Sequence, residues 1–498
     1  MITSEPHAQI HEEKFESYRY ARQHGILIMD TQEDYINAVY RPDCSPQAII
    51  ELRRYVGLPL HLEEVSSKHF TTLLTKKYET KAIDALHGTA NLGENVDLQH
   101  VLEELPKAED ILGSETDSPV IQLINALLHE AIKQSASDIH FEPFEDKLIV
   151  RIRIDGVLHN VLEVPHHLTP LVISRIKIIA SLDISEKRLP QDGRTSVTIA
   201  GRTVNIRVST IPVTYGERVV LRILDKESTH LNLTDLGMND QLLTSVRRII
   251  AKPHGIILVT GPTGSGKTTS LYAMLTELNS PECNIMTVED PIEYNVEGIA
   301  QIQVNKKVKM TFAKSLRAIL RQDPNIIMVG EIRDLETAII AVQASLTGHL
   351  VLSTLHTNTA VGTITRLRDM GVQSFLLSSS LIGVIAQRLI RLLCEHCKES
   401  YLPTLDECLS LGINLDAKNT IYKAKGCDHC NQTGYSHRVG VYEIIETDFM
   451  LQALIHQNAS EQELEEYIRR QSPSIWQNSC QRVLAGETSL DEIMRVTN

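Results

Sequence analysis

The stretch GIILVTGPTGSGKTTS, residues 255–270, joins an apolar run to a glycine-rich turn and then to the start of a helical pattern. The run at 255–260 is short and does not alternate with polar residues, which is typical of a central strand covered on both faces. Residues 261–268 match G-x-x-x-x-G-K-[ST], the P-loop pattern, whose backbone N–H groups curl around a phosphate chain. Strands and helices alternate from about residue 231 onward, so the stretch predicts a phosphate site in an α/β fold with a parallel sheet.

Two side chains of the loop complete this predicted phosphate site. Lys267 supplies a positive charge at the β- and γ-phosphates, and the hydroxyl of Thr268 is a ligand for Mg²⁺. The helix predicted over residues 269–278 directs its positive N-terminus at the anion. The candidate nucleotide-binding residues are Gly261, Pro262, Thr263, Gly264, Ser265, Gly266, Lys267, Thr268 and Thr269.

Two later strands of the predicted sheet end in acidic residues. MTVEDPIE, residues 286–293, leads into three carboxylates that include Glu289 and Glu293, and IIMVGE, residues 326–331, ends at Glu331. Glutamate has a longer reach than the aspartate usual at such a strand end, so we expect Glu331 to contact Mg²⁺ through a metal-bound water. One such carboxylate alone is typical of a solvated strand end, but two strand ends after one P-loop favour a functional site.

A further strand, within residues 348–358, has a histidine near each end, His349 and His356. A neutral histidine at the carboxyl end of a strand can sense a γ-phosphate through a hydrogen bond. A structural histidine is the alternative for either residue. The three preceding motifs favour the functional role for His356.

The composition excludes several classes of protein. The 498 residues are 42% hydrophobic and 22% charged, which is average for a soluble globular chain of three or four domains. A net charge of −14 and only 4% aromatic residues argue against a nucleic-acid partner. No apolar run approaches the 18 or so residues that cross a bilayer, and the polar N-terminus does not resemble a secretory signal. These features predict a cytosolic protein.

Changes in pattern along the chain predict its domains. Residues 101–118 hold six acidic residues and one lysine, a composition typical of a solvated linker. The predicted divisions are an N-terminal docking domain (1–100), the acidic linker (101–118), an α+β domain (119–228), the P-loop core (229–390), a tetracysteine insert (391–440) and a C-terminal helical region (441–498).

Four of the eight cysteines form two Cys-x-x-Cys pairs, Cys394 with Cys397 and Cys427 with Cys430. Two such pairs make a tetrahedral thiolate site that suits Zn²⁺ best. All four ligand positions are filled by protein, so the predicted role is structural. Iron in a rubredoxin-like site and a redox dithiol are the chemical alternatives.

Taken together, these motifs resemble those of the secretion ATPases that power type II secretion and type IV pilus machines. The resemblance covers about residues 115–498. Its markers, in chain order, are SDIH (137–140), RIRIDG (151–156), the P-loop, the aspartate box (289–293), GEIRD (330–334) and the histidine box (348–358). The type II branch is the nearer one because of RLPQDGR (188–194), the tetracysteine insert and the ending SLDEIMRV (489–496).

The resemblance implies a RecA-like P-loop ATPase core that follows an α+β, PAS-like domain, with ATP, Mg²⁺ and Zn²⁺ as cofactors. It implies that Glu293 is the general base, with Glu289 as the alternative, and that Glu331 is the Mg²⁺-side acid. Two arginines of the α+β domain, Arg207 and Arg222, would swing onto the nucleotide when the domains close; a strand-surface cation is the alternative for each. Further arginines that match the family are Arg317, Arg321 and Arg333.

The resemblance also implies partners and a location. The chain would form a homohexamer in the cytoplasm, attached peripherally to the inner membrane through a protein partner. Residues 1–100 would dock onto the cytoplasmic domain of an inner-membrane secretion protein, and the core would act on an inner-membrane platform protein. The alternatives are a pilus assembly ATPase, a zinc-containing nucleic-acid motor and a nucleotide-binding scaffold that does not hydrolyse ATP.

Overall fold

The computed structural model describes residues 24–31, 35–56, 59–67, 117–199, 202–224, 232–305, 308–414 and 419–497, with a few single residues between positions 21 and 73. It divides into two compact units, residues 1–226 and 227–498. Most of the predicted acidic linker lies outside the described residues. No helix in the described part of the chain is both long enough and apolar enough to cross a bilayer.

The described residues of the N-terminal part of the first unit include a small three-stranded sheet and the helix that packs on it. Its elements are β1 (Ile26–Thr31), β2 (Ile36–Tyr40), α1 (Pro46–Val56) and β3 (Leu60–Glu64). Strand β2 lies in the middle, antiparallel to β1 and parallel to β3. Buried apolar side chains from β1, β2 and α1 form its core, as expected for a small mixed domain.

The second part of the first unit is an antiparallel sheet with two helices. Its elements are α2 (Asp117–Lys133), β4 (Asp138–Pro143), β5 (Lys147–Ile154), β6 (Val157–Pro165), α3 (Thr169–Ile179), β7 (Gln191–Ile199), β8 (Arg202–Val213) and β9 (Gly216–Leu224). The strand order is β6-β5-β4-β9-β8-β7. The helices cover one face, where their apolar residues pack against alternate residues of the strands. The α+β domain is confirmed.

The second unit contains the P-loop strand and a larger sheet. Its elements, in chain order, are α4 (Asp240–Ile250), β10 (Gly255–Thr260), α5 (Lys267–Leu278), β11 (Ile285–Glu289), β12 (Ala300–Gln303), α6 (Phe312–Ile319), β13 (Ile326–Val329), α7 (Leu335–Leu346), β14 (Leu350–Leu355), α8 (Ala360–Asp369), α9 (Ser374–Ser380), β15 (Leu381–Leu393), β16 (Glu399–Tyr401), α10 (Leu405–Leu411), β17 (Ile421–Lys423), β18 (Tyr435–Glu446), α11 (Phe449–His456), α12 (Glu461–Arg469), α13 (Ile475–Leu484) and α14 (Leu490–Thr497).

The large sheet has seven strands in the order β12-β11-β13-β14-β10-β15-β18, and only the β15–β18 pair is antiparallel. Every residue of β10, β13 and β14 is buried, because helices cover both faces of the sheet. The crossover connections bring the carboxyl ends of β10, β11, β13 and β14 to one edge, where the P-loop and the predicted acidic residues follow.

Two of the predicted domain boundaries fall within long strands. Positions 390 and 391 lie inside β15, and positions 440 and 441 lie inside β18, which pairs with β15 from Gly383 opposite Glu446 to Leu393 opposite Tyr435. Both cysteine pairs therefore lie in the connection between β15 and β18, two strands that belong to the sheet of the P-loop core. The four helices α11 to α14 come after β18 and pack their apolar residues into the same core.

Candidate active site

The P-loop turn is shaped by a close approach of two chain segments. Gly261 has φ of +149°, and a β-carbon there would lie 2.5 Å from the carbonyl oxygen of Gln387 and 2.6 Å from the hydroxyl of Ser265. Gly266 is left-handed, with φ of +84°, and immediately precedes α5. Only glycine fits both positions without strain. The helix begins at Lys267, two residues earlier than the sequence pattern predicts.

Lys267 is buried at the base of the loop. Its Nζ atom donates hydrogen bonds of 2.8 Å to the carbonyl oxygens of Gly261 and Pro262. The pKa of Lys267 is lowered to about 8, chiefly by burial; Glu331 opposes the shift and the nearby Arg388 adds to it. Thr268, the predicted hydroxyl ligand, is exposed in the first turn of α5.

Glu331 and His356 come together beside this lysine. Glu331 follows β13 and forms an ion pair with Arg333, while His356 follows β14 with its Nε2 atom 3.6 Å from a carboxylate oxygen of Glu331. Burial, and then the charge of Lys267, lower the pKa of His356. Both effects favour the neutral imidazole. The other histidine of the motif, His349, precedes β14 at the opposite end of the strand and contacts the carbonyl oxygen of Ala344 through Nδ1, at 2.9 Å.

Glu289 and Glu293 occupy different environments. Glu289, the last residue of β11, is 3% exposed. Its carboxylate accepts hydrogen bonds from the hydroxyls of Tyr272 and Thr287 and from the amide of Gln301. Glu293 lies in the exposed segment between β11 and β12. The sequence alone left these two residues as alternatives for one role.

The sequence analysis missed two residues of β15 that contact this edge of the sheet, Gln387 at the P-loop and Arg388 at the segment after β14. Gln387, fully buried, donates to the carbonyl oxygen of Ser265 at 2.6 Å. Its neighbour Arg388 donates to the carbonyl oxygen of Asn358 at 2.7 Å. A glutamine and an arginine inside the apolar stretch of β15 were the available signal, because buried polar side chains need partners.

The two predicted arginines of the α+β domain lie in a row across its sheet. Strand pairing places Arg194 opposite Arg207, Arg207 opposite Arg222, and Arg222 opposite Asp138. Arg222 donates to Asp138 at 3.1 Å, while the side chains of Arg207 and Arg222 are 37% and 55% exposed. Directly opposed like charges destabilise a sheet. Carboxylates offset part of this repulsion, because Asp192 lies 3.7 Å from Arg207 and Asp138 lies 3.1 Å from Arg222.

Three further arginines match the family. Arg317, on α6, forms an ion pair of 2.7 Å with Glu336, and Arg321 donates to the carbonyl oxygen of Arg317 at 2.9 Å. Arg333 is paired with Glu331, as described above. The structure therefore brings only Arg333 of these three into direct contact with a predicted catalytic residue.

The four predicted metal ligands form one cluster, with their sulfur atoms all within 4.8 Å of one another. The Sγ atoms of Cys394 and Cys427 are 3.8 Å apart, as are those of Cys397 and Cys430. A tetrahedral zinc ion with sulfur ligands at about 2.3 Å requires sulfur atoms about 3.8 Å apart. The four thiols fit such an ion, and they are too far apart for a disulfide bond, which needs about 2 Å.

Cys430 is the best-prepared thiolate of this cluster. Its sulfur accepts backbone N–H groups from Cys427, at 3.2 Å, and from Gly434, at 3.1 Å. Burial acts to raise the pKa of Cys430, but these two donors, together with hydrogen bonds from the thiols of Cys427 and Cys397, outweigh it and bring the pKa down to about 7. Backbone donors of this kind stabilise the charged form that a metal ion needs.

The fold and the site together define a P-loop ATP hydrolase with a RecA-like core. The strand, phosphate loop and helix, followed by acidic strand ends at the same edge of a parallel sheet, are the parts that phosphoryl transfer requires. Comparison with known proteins places the chain within this class.

The family described as Type II/IV secretion system protein matches residues 113–495, and a separate N-terminal domain described for GSPII protein E matches residues 17–78. The chain belongs to the type II/IV secretion system protein family. The family resemblance of the motifs is thereby confirmed.

Two relatives match nearly the whole chain. Type II secretion system protein E of Pseudomonas aeruginosa is 52% identical over 480 residues, which are 96% of this chain and 95% of that protein. Type II secretion system ATPase E of Vibrio cholerae is 53% identical over 474 residues, which are 95% of this chain and 94% of that protein. The predictions of an ATP hydrolase and of the type II branch are confirmed.

Solved structures agree with the fold. The pilus retraction motor PilT with bound ADP has a TM-score of 0.51 and 29% identity, and the match covers 74% of this chain and 95% of that one. The ATPase DotB of Legionella pneumophila has a TM-score of 0.56 and 21% identity, over 75% of this chain and 95% of that one. The predicted fold class, a P-loop ATPase core with a preceding α+β domain, is confirmed.

Proposed function

We propose that this chain hydrolyses ATP to power pseudopilus assembly and protein export through the type II secretion system. The observation that carries the proposal is the meeting of Lys267, Glu331 and His356 at one edge of the sheet. Lys267 would hold the β- and γ-phosphates, and an N–H group of His356 would donate one hydrogen bond to an oxygen of the γ-phosphate. The relatives with 52% and 53% sequence identity are type II secretion system proteins, which favours this branch over pilus assembly.

Glu293 is the proposed general base. A general base must be able to accept a proton from the attacking water, so it needs an accessible carboxylate. The carboxylate of Glu289 already accepts three side-chain donors and is buried. Glu293 is exposed, which supports its choice over Glu289.

Thr268 and Glu331 would hold Mg²⁺. A hydroxyl and a carboxylate are hard oxygen ligands of the kind that this ion prefers. When bound, the ion would neutralise charge on the phosphates. Arg207 and Arg222 would add positive charge on the other side of the nucleotide, which in phosphoryl transfer is worth about 10³–10⁵ in rate.

Cys394, Cys397, Cys427 and Cys430 would hold one Zn²⁺. The matching sulfur separations and the N–H groups directed at Cys430 support this assignment. Because four protein ligands fill a tetrahedral ion, the proposed role is to fix the chain around β16, α10 and β17 rather than to take part in hydrolysis.

The chain is further proposed to work as a homohexamer in the cytoplasm at the inner membrane, acting on a platform protein and attached through residues 1–100. The separate domain match at residues 17–78 supports a distinct docking domain. Residues 1–100 carry ten Lys and Arg against fifteen Asp and Glu, a poor match for anionic lipid headgroups. The cytoplasmic domain of an inner-membrane secretion protein is therefore the proposed partner. A chain that lacks residues 1–100 should bind nucleotide but no longer sediment with membranes that contain this protein.

The test of the catalytic proposal is Glu293→Gln in the full chain. We expect nucleotide affinity close to that of the unchanged protein and a loss of hydrolysis of at least 10²-fold. Glu297→Gln, in the same exposed segment, is the matched control and should keep normal turnover. Near-normal turnover in Glu293→Gln, together with inactivity in Glu289→Gln, would transfer the base role to Glu289. ATPase activity stimulated by DNA or RNA would instead favour a nucleic-acid motor.

A further inference from the structure

The proposed base lies in a segment that leaves the sheet and returns to its edge. Strand β11 ends at Glu289, residues 290–299 carry Glu293, and β12 then pairs in parallel with β11. The segment itself contains no strand or helix. Its geometry must therefore come from contacts with its surroundings, because hydrolysis demands a base held within hydrogen-bond reach of the water.

Gln301, on the edge strand β12, makes four side-chain hydrogen bonds within and beside this segment. Its Oε1 atom accepts the backbone N–H of Val296 at 2.8 Å. Its Nε2 atom donates to the backbone carbonyl of Tyr294 and to the carboxylate of Glu289, each at 3.1 Å, and lies 3.3 Å from the hydroxyl of Tyr272, which also accepts from it. The orientation of the amide is determined by chemistry, since an N–H can only donate and a carboxylate can only accept.

One partner of Gln301, Tyr272, also interacts with the backbone of Glu293. Tyr272, on α5, donates its hydroxyl to Glu289, and the same hydroxyl receives a hydrogen bond from the backbone of Glu293. Burial raises the pKa of Tyr272, and the neighbouring Glu289 raises it further. The ring of Tyr294 packs edge-on against that of Tyr272, with ring centroids 4.6 Å apart.

We propose that Gln301 is a positioning residue that holds the Glu293 segment in place for hydrolysis, with Glu289 and Tyr272 as its anchor. The inference rests on the proposed role of Glu293 as the base. A side chain here must accept from Val296 and donate to both Tyr294 and Glu289. Only an amide of this length does so: methionine has neither group, glutamate cannot donate, and asparagine is one methylene shorter.

The experiment is Gln301→Met in the full-length protein, with Gln303→Met as the matched control. Gln303 is exposed on the same strand, so its substitution should leave turnover unchanged. For Gln301→Met we expect kcat to fall at least tenfold while the KM for ATP and the affinity for ADP change less than about twofold. This split identifies an interaction needed at the chemical step rather than for binding, and a shift of about 1 Å in a catalytic group is enough to cause it.

Tyr272→Phe is a second variant that keeps the ring and removes the hydroxyl, and it should show the same fall in kcat with KM preserved. The thermal unfolding of both variants is measured alongside their kinetics. A loss of folding in both, or a parallel loss of ATP affinity and kcat, would assign the cluster a structural role and overturn the proposal.

Comparing the two single variants with the double variant separates this inference from the assignment of Glu293 as the base. If Glu293→Gln abolishes turnover and Gln301→Met does not lower it, the base stands and the positioning role fails. If Gln301→Met lowers kcat but Glu293→Gln does not, Gln301 does not act through Glu293 and the inference fails with that assignment. In support of the proposal, Gln301→Met added to Glu293→Gln should cause no further loss of residual turnover, since residues that act as a unit are not additive.

Discussion

The Nε2 atom of His356 lies 3.6 Å from the carboxylate of Glu331, although the two residues follow different strands, β14 and β13. The contact exists because these strands are neighbours in the sheet and end at the same edge. Glu331 acts to raise the pKa of His356, but burial and the charge of Lys267 prevail and the pKa is lowered. A carboxylate and a neutral imidazole therefore lie together beside the phosphate loop.

Glu331→Gln should raise the Mg²⁺ concentration needed for half-maximal hydrolysis by roughly tenfold, because the amide lacks the charge that attracts the ion. Affinity for nucleotide measured without Mg²⁺ should stay within about twofold. A Mg²⁺ titration of ATPase activity measures both effects. Glu282→Gln, an exposed position away from the site, is the control. An unchanged Mg²⁺ requirement in Glu331→Gln would remove this residue from the metal side.

Nucleotide binding should take up a proton at Lys267. The pKa of this buried lysine is about 8, and a bound phosphate chain raises it, because an adjacent anion favours the charged form. At pH 8.5 we therefore expect uptake of roughly three quarters of a proton, and at pH 7 about a tenth. Affinity for nucleotide should accordingly weaken as pH rises above 8. Calorimetry in buffers of different ionisation enthalpy measures the uptake, and equal values at the two pH values would contradict the prediction.

Arg222→Ala should lower kcat on the order of 10³-fold if this arginine reaches the nucleotide during turnover. The fold should survive, because Asp138 keeps a second partner, Arg153, at 3.3 Å. Lys147→Ala is the control in the same domain, since Lys147 forms only an exposed pair with Glu163, a type of contact worth under about 1 kcal/mol. Steady-state kinetics and thermal melting are measured for both variants. Full activity in Arg222→Ala would show that Arg222 is only a cation on the surface of the sheet.

Cys430→Ser should reduce bound zinc from one ion per chain to nearly none. Structural zinc contributes about 10–16 kcal/mol of apparent binding free energy in small peptides, so its loss should raise hydrogen exchange within residues 394–430. ADP affinity should be preserved because the P-loop lies outside the cluster. Elemental analysis also separates zinc from iron. Cys283→Ser is the control, and gently purified protein without either metal would contradict the assignment.

Local signals were sufficient for most of the site. The P-loop could be predicted because phosphate binding depends on consecutive backbone N–H groups, which eight adjacent residues specify. The two cysteine pairs were equally visible, since metal geometry fixes the spacing within each pair. The predicted start of α5 was two residues late, because the left-handed Gly266 allows the helix to begin inside the motif at Lys267.

Other features depend on contacts between residues far apart in the chain. No local pattern linked Gln387 to the P-loop carbonyl of Ser265, because β15 reaches that loop only when it pairs with β10. The predicted boundaries near residues 390 and 440 fall inside β15 and β18 for a similar reason. The cysteine motifs mark a change in composition, whereas strand length is set by pairing across the sheet.

The sequence by itself determined the family and predicted the phosphate loop and the four-cysteine cluster, since each is specified by neighbouring residues whose chemistry does not depend on the rest of the chain. Only the tertiary structure gave Glu289 and Glu293, two carboxylates of one motif, different environments. Packing surrounded the first with Tyr272, Thr287 and Gln301 and left the second exposed. Burial and the supply of hydrogen-bond donors decide what a carboxylate can do, and both are properties of the assembled sheet.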